Sequence, residues 1–155
     1  MTMSGQTSKS KFSRHARIRA RRSAVQALYQ WEMTHATITD VISEFMTERT
    51  ELRKADIDYF NELLQGTANK FVELKEEIAP NLDRNLDQLD PVERAVLMVG
   101  TYELMFHQEI PWRVIVNEAV DLAKMFGAEK SYQYINGVLD KIAHKIRSAE
   151  IMNVT

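Results

Sequence analysis

The chain has 155 residues, of which 45% are hydrophobic and 27% charged, enough for one globular domain with a real core and short for two. It contains no cysteine, which removes disulfide frameworks, thiolate metal sites and cysteine nucleophiles. The net charge of −2 hides two opposed regions: residues 1–31 carry seven Lys or Arg and no acid, giving +7, while the other 124 residues carry 13 bases and 22 acids, giving −9.

Residues 1–9, "MTMSGQTSK", show no period, and a disordered basic arm is expected over residues 1–12, ahead of a folded domain over 13–150. Next, "SKFSRHARIRARRSAVQALYQW" joins a basic half to an apolar helix pattern. Arg14, Arg17 and Arg21 fall at spacings of three and four, and the same stripe continues through Ala24, Val25 and Leu28. The apolar end must dock on a core, whereas buried unpaired arginines are costly. The arginine end is therefore expected to project from the body, or line a groove, with its guanidinium groups free for a polyanion. Arg19 and Arg22 add to the charge, and the planar fork suits bidentate phosphate contacts and stacking on bases.

The remaining elements read as helices. Val41, Ile42, Phe45 and Met46 make a short apolar stripe after Thr39 and Asp40, and Ile57, Phe60, Leu63, Leu64, Phe71, Leu74 and Ile78 make a long one ended by Pro80. "LDPVERAVLMVGTYELMF" has Asp90 as N-cap, Pro91 at the first helical position and Glu93 at the third, ahead of a heavily apolar run that predicts a central, mostly buried helix. Pro111 opens another helix that Gly127 closes, and "SYQYINGVLDKIAHKIR" supplies the last. An all-α protein of about seven helices follows. Asn117 and Asp121 in "VNEAVD", echoed by Asn136 and Asp140 in "INGVLD", are read as helix residues that satisfy buried groups or helix ends, with Gly137 allowing two helices to approach closely.

No catalytic constellation stands out. The five glycines make no phosphate loop, and His15, His35, His107 and His144 lack metal-like spacing. The reading is therefore a protein with no catalytic residue, no metal and no cofactor. The apolar runs fall well short of the roughly 20 residues a membrane span needs, and the N-terminus has no apolar signal region. A cytoplasmic protein with no membrane partner is expected.

Four stretches carry a family resemblance: "ARIRARRSAVQALYQWEM", "LDPVERAVLMVGTYEL", "IPWRVIVNEAVDLAKMFGAEKS" and "YINGVLDKIA". In order, spacing and nearly in wording they resemble the bacterial transcription antitermination factor NusB, over about residues 14–147. The resemblance implies a single compact all-α domain with two helical bundles side by side. It also implies binding to the single-stranded boxA element of ribosomal RNA leader transcripts as a heterodimer with ribosomal protein NusE, the complex joining RNA polymerase and other Nus factors.

The implied RNA-binding residues are Arg17, Arg19, Arg21 and Arg22, with Arg14 as electrostatic support, then Gln26 and Tyr29. Ile18 stands where the family usually has the second arginine of a pair. Further RNA contacts are implied for Phe126, Lys130 and Tyr134, and an aromatic ring beside arginines suits unstacked bases. The implied partner surface includes Glu93, Arg94, Trp112, Arg113 and Glu118, on an acidic body complementary to a basic ribosomal protein.

Three other readings remain beside this one. A similar domain opens some ribosomal RNA cytosine methyltransferases, which continue into a cofactor-binding domain, so the chain could be a related stand-alone RNA-binding module. A helix-turn-helix DNA binder would place its reading residues on a later helix. A scaffold with a solvated basic tail would bind RNA only nonspecifically.

Overall fold

The structure is a computed structural model, and it describes the backbone of residues 3–48, 52–127 and 131–153, with side chains from residue 14 onward in those ranges. Among the described residues there are eight α-helices and no strand: α1 Met3–Met33, α2 Ile38–Glu48, α3 Ile57–Asn69, α4 Phe71–Ile78, α5 Pro91–Phe106, α6 Trp112–Phe126, α7 Ser131–Ile146 and α8 Ser148–Met152. The all-α expectation holds. The chain divides into two compact units between Gln65 and Gly66. The backbone of α1 begins at Met3, within the stretch read as an arm without regular structure; the side chains of residues 1–13, Lys9 and Lys11 included, lie outside the described residues.

The long apolar stripe expected as one helix is two, α3 and α4, meeting at Lys70 with φ −101° and ψ 18°. Backbone bonding nearly runs through the joint, with Lys70 N–H donating to Gly66 C=O at 2.9 Å and Leu74 N–H to Lys70 C=O at 2.8 Å. The periodicity therefore continues past a break in helical backbone geometry at Lys70.

In the first unit the small residues Ala20, Ala24 and Ala27 line α1 beside Val25 and Leu28, and all five are fully or almost fully buried. Removing bulk at those positions allows close helix approach, while Phe45 of α2 and Phe60 of α3 fill the remaining space with their rings stacked 5.9 Å apart. The second unit is built around α5. Ten consecutive residues, Ala95 to Leu104, are buried, because α4, α6 and α7 pack around it. Its start is as expected: the Asp90 carboxylate accepts from Val92 N–H at 2.8 Å, and Pro91 follows as the first helical residue.

Close approach in this unit is set at Gly100, where an added Cβ would lie 3.1 Å from Leu139 Cδ1. Gly137, expected to play that part, is exposed with nothing within 4 Å of an added Cβ. Asn117, Asp121 and Asn136 are exposed rather than satisfying a buried helix end, and Asp140 accepts from His144 of its own helix through its carbonyl at 2.8 Å, one of the two tautomer-dependent roles that ring nitrogen allows. A pattern on one helix face does not say which face the fold covers.

The residue that fixes the second unit is Arg147, 2% exposed and between α7 and α8. Its Nε donates to Leu104 C=O at 2.8 Å, its Nη1 to Ile110 C=O at 3.0 Å and the Glu150 carboxylate at 2.6 Å, and its Nη2 to His107 C=O at 2.9 Å and Glu103 C=O at 3.3 Å. The other Glu150 oxygen accepts from Trp112 N–H, the first residue of α6, at 3.0 Å. Burial opposes ionisation of Glu150, but the Trp112 amide and the Arg147 guanidinium outweigh it and hold its pKa below the usual glutamate value.

Replacing Arg147 by Ala leaves the carbonyls of Glu103, Leu104, His107 and Ile110 without this donor. It should lower stability by about 3–5 kcal/mol in chemical denaturation, and Lys, lacking the fork, should not restore it. A pair of glycine substitutions should move in opposite directions. Gly66→Ala forces a methyl into the Tyr102 phenol and should destabilise by about 1–3 kcal/mol. Gly137→Ala meets open space and should stabilise by up to about 1 kcal/mol; thermal melting of the two proteins checks both signs.

Candidate nucleic-acid interface

The basic half of α1 lies in the first unit against the segment that leads into α3. Asp56 N–H donates to Ala16 C=O at 3.0 Å, and the Asp56 carboxylate caps α3 by accepting from Tyr59 N–H at 3.0 Å. This holds Tyr59, 5% exposed, beneath two arginines one helical turn apart. The Arg17 guanidinium sits 4.4 Å from the Tyr59 ring centroid and that of Arg21 5.7 Å from it, with Arg17 Nε also 3.9 Å from the Asp56 carboxylate. A cation over a ring face is attracted by the ring quadrupole, more so when sheltered from water.

These contacts correct the expectation that the whole arginine stripe stands free. Arg21 is 5% exposed, with its guanidinium 5.7 Å from the Tyr59 ring centroid. Arg14 is exposed, and Arg17, Arg19 and Arg22 are half-buried. Arg19 lines a shallow pocket with His15, Ala16 and Lys54. Further along α1, Gln26 is half-buried, its Oε1 enclosed with no hydrogen-bond partner among the described residues, and Tyr29 is 37% exposed. Asp56, Tyr59 and Lys54 were not singled out in the sequence; the signal available was an acid three residues before an aromatic at a helix start, which marks a cap as readily as a site.

The second group lies in the second unit. Phe126 is half-buried at the end of α6, Lys130 lies outside the described residues, and Tyr134 sits in the first turn of α7. Tyr134 O–H donates to Asp83 at 2.9 Å, and the Arg84 guanidinium lies 4.6 Å from the Tyr134 ring centroid. Asp83 also accepts from Arg84 Nε at 2.8 Å. The Arg84 bond, then that of Tyr134, holds the Asp83 carboxyl at a pKa of about 2. Arg84 is in turn raised by Asp83, and Tyr134 is raised by burial and then by its bond to the carboxylate.

Residues 18–144 match the NusB family. The chain belongs to the NusB family. The transcription antitermination protein NusB of Alcanivorax borkumensis is 44% identical over 135 residues, 87% of this chain and 89% of the relative. T. maritima NusB superposes with a TM-score of 0.73 at 30% identity, covering 81% of this chain and 89% of that one. A chain of a solved complex of the antitermination factors NusB and NusE with double-stranded RNA superposes with a TM-score of 0.69 at 26% identity, covering 83% and 96%. NusB proteins are transcription antitermination factors, not enzymes. Among the described residues of this NusB-family chain, no group of three or more acids or histidines is placed to hold a metal, and no helix is long and apolar enough to cross a membrane.

The residues expected at a protein partner surface are only partly available. Glu93 and Arg94 are half-buried at the start of α5, and Arg94 Nη1 donates to Leu89 C=O at 3.4 Å. Trp112 is 7% exposed, edge-on to His144 with ring centroids 5.5 Å apart, and Arg113 lies over it at 4.8 Å. Trp112 is thus a core residue of this unit, while Arg113 is exposed and Glu118 half-buried.

The arginines of α1 divide by burial into two kinds with separable effects. Arg21→Ala should cost about 1–3 kcal/mol, through the lost cation–π contact and the cavity left by its buried stem, and should lower the melting temperature. Arg14→Ala should leave melting unchanged within error, since an exposed helical Arg is replaced by the best helix former.

Proposed function

We propose that this chain is a transcription antitermination factor that grips the single-stranded boxA element of ribosomal RNA leader transcripts as a heterodimer with ribosomal protein NusE. Through that complex it acts on RNA polymerase with other Nus factors. The observation that carries the reading is the opening of α1, where Arg14, Arg17, Arg19 and Arg22 keep exposed or half-exposed guanidinium groups in a chain otherwise rich in acid. Family membership and the NusB–NusE–RNA complex among the similar structures support it.

In this reading Arg17, Arg19 and Arg22 contact phosphates and bases, Arg14 adds charge, and Arg21 acts through the ring of Tyr59 as a support of the site. Gln26 and Tyr29 extend the track along α1. Phe126, Lys130 and Tyr134 supply the second group, and the exposed side of the α5 and α6 starts, with Glu93, Arg94, Arg113 and Glu118, receives the partner. Trp112 backs that surface from beneath.

A second reading concerns the form of the RNA, since the solved NusB–NusE complex holds a duplex. Anisotropy titrations of the full chain with single-stranded boxA RNA, a scrambled strand and the same sequence as a duplex distinguish the two. The single strand should bind best. Its log-log salt slope should be about −2 to −3, for three or four phosphates neutralised. NusE should tighten RNA binding, and RNA should tighten NusE binding by the same factor. Equal affinity for boxA and scrambled strands would sink the reading, and preference for the duplex would replace it with the second.

A further inference from the structure

We propose that Asp83, Arg84 and Tyr134 form a stacking platform in which Arg84 is itself an RNA-contacting residue, an unstacked base lying on the guanidinium plane already held over the Tyr134 ring. The proposal rests on the RNA-binding reading above and adds residues to it. Its basis is how the two planes are held. The Asp83 carboxylate takes Arg84 Nε on one oxygen at 2.8 Å and Nη2 on the other at 3.3 Å, and the first oxygen also accepts the Tyr134 hydroxyl at 2.9 Å. One acid thus fixes the guanidinium from its edge and the phenol from its tip. The planes are kept in register at 4.6 Å without relying on stacking alone.

The upper layer remains accessible, the Arg84 side chain being 49% exposed. A guanidinium plane stacks on a base as it does on tyrosine, and base stacking tolerates any sequence because every base has a π-face. Asp83 gives the platform a second property. Held at a pKa of about 2, it stays ionised wherever RNA is handled and offsets the Arg84 charge. The pair adds a surface and no net cation, so its contribution should resist salt while that of α1 should not. Asp83 is a positioning residue here, and it shields the site from nonspecific polyanions.

The test is anisotropy with labelled single-stranded boxA RNA on the full chain, using Arg84→Ala, Arg84→Lys, Tyr134→Ala and the double variant Arg84→Ala/Tyr134→Ala, each checked by thermal melting. Arg84→Ala and Arg84→Lys should both weaken binding about fivefold or more, as for loss of one stacked base, with the salt slope unchanged. The double variant should lose less than the product of the single losses, because the two residues act as one unit. Wild-type affinity in Arg84→Lys would overturn the proposal, since charge alone would then suffice, and so would wild-type affinity in Arg84→Ala. Arg19→Ala on α1 separates the failures: if it weakens binding and Arg84→Ala does not, the platform falls and the RNA reading stands. If the wild type binds boxA and a scrambled strand equally, the boxA reading falls, while the Arg84 variants still decide the platform; if the wild type binds neither, both fall.

Discussion

Five hydrogen bonds from one guanidinium hold the second unit together. The carbonyls at the end of α5 carry the negative end of its dipole, and that of Glu103 takes a backbone amide of the helix end, from His107 N–H at 2.9 Å. Arg147 meets those of Glu103, Leu104 and His107, and reaches past them to Ile110 in the turn that follows. Its charge is then balanced by Glu150, whose second oxygen caps the first amide of α6. The end of one helix, the turn and the start of the next are therefore set by a single buried cation. A lysine could not do this, having no planar fork to address acceptors in several directions at once.

The arginines of α1 solve a different problem. In the proposed RNA-binding reading, a helix that presents cations to a polyanion has to keep them ordered when the ligand is absent, and self-repulsion works against that. Tyr59 answers part of this by lying under Arg17 and Arg21, with Asp56 close to the first. The ring attracts the cations through its quadrupole and leaves their N–H edges able to donate. In the second unit the same pairing recurs between Arg84 and Tyr134, there with an acid bonded to both partners. Arginine over tyrosine is thus used twice, once almost buried as support and once exposed.

Helix type and order were legible because they rest on local rules. The Asp90–Pro91 start of α5, the burial of its apolar run, and the switch of α1 from basic to apolar all read directly from spacing and capping chemistry. The α1 residues were legible as a set because seven bases without an acid is a compositional signal. The stretches that resemble NusB carried the family in the same way, since they are contiguous words of sequence.

What tertiary structure decided were the properties that depend on a partner distant in the chain. Nothing in "ARIRARRS" distinguishes Arg21, buried over Tyr59, from Arg14, which is exposed, because the ring lies on another helix. Nothing near Gly137 or Gly100 says which of them faces a neighbour. Asp83 and Arg84 read as a polar loop until Tyr134, 51 residues from Asp83, is bonded to it. Arg147 reads as an ordinary basic helix end until four carbonyls from residues 103–110 converge on it. Periodicity and caps are properties of a segment, so the sequence by itself determined the all-helical class, the basic start and the family. Burial and pairing are properties of a packed arrangement, so only the tertiary structure decided which cations are enclosed against other side chains and which stay exposed.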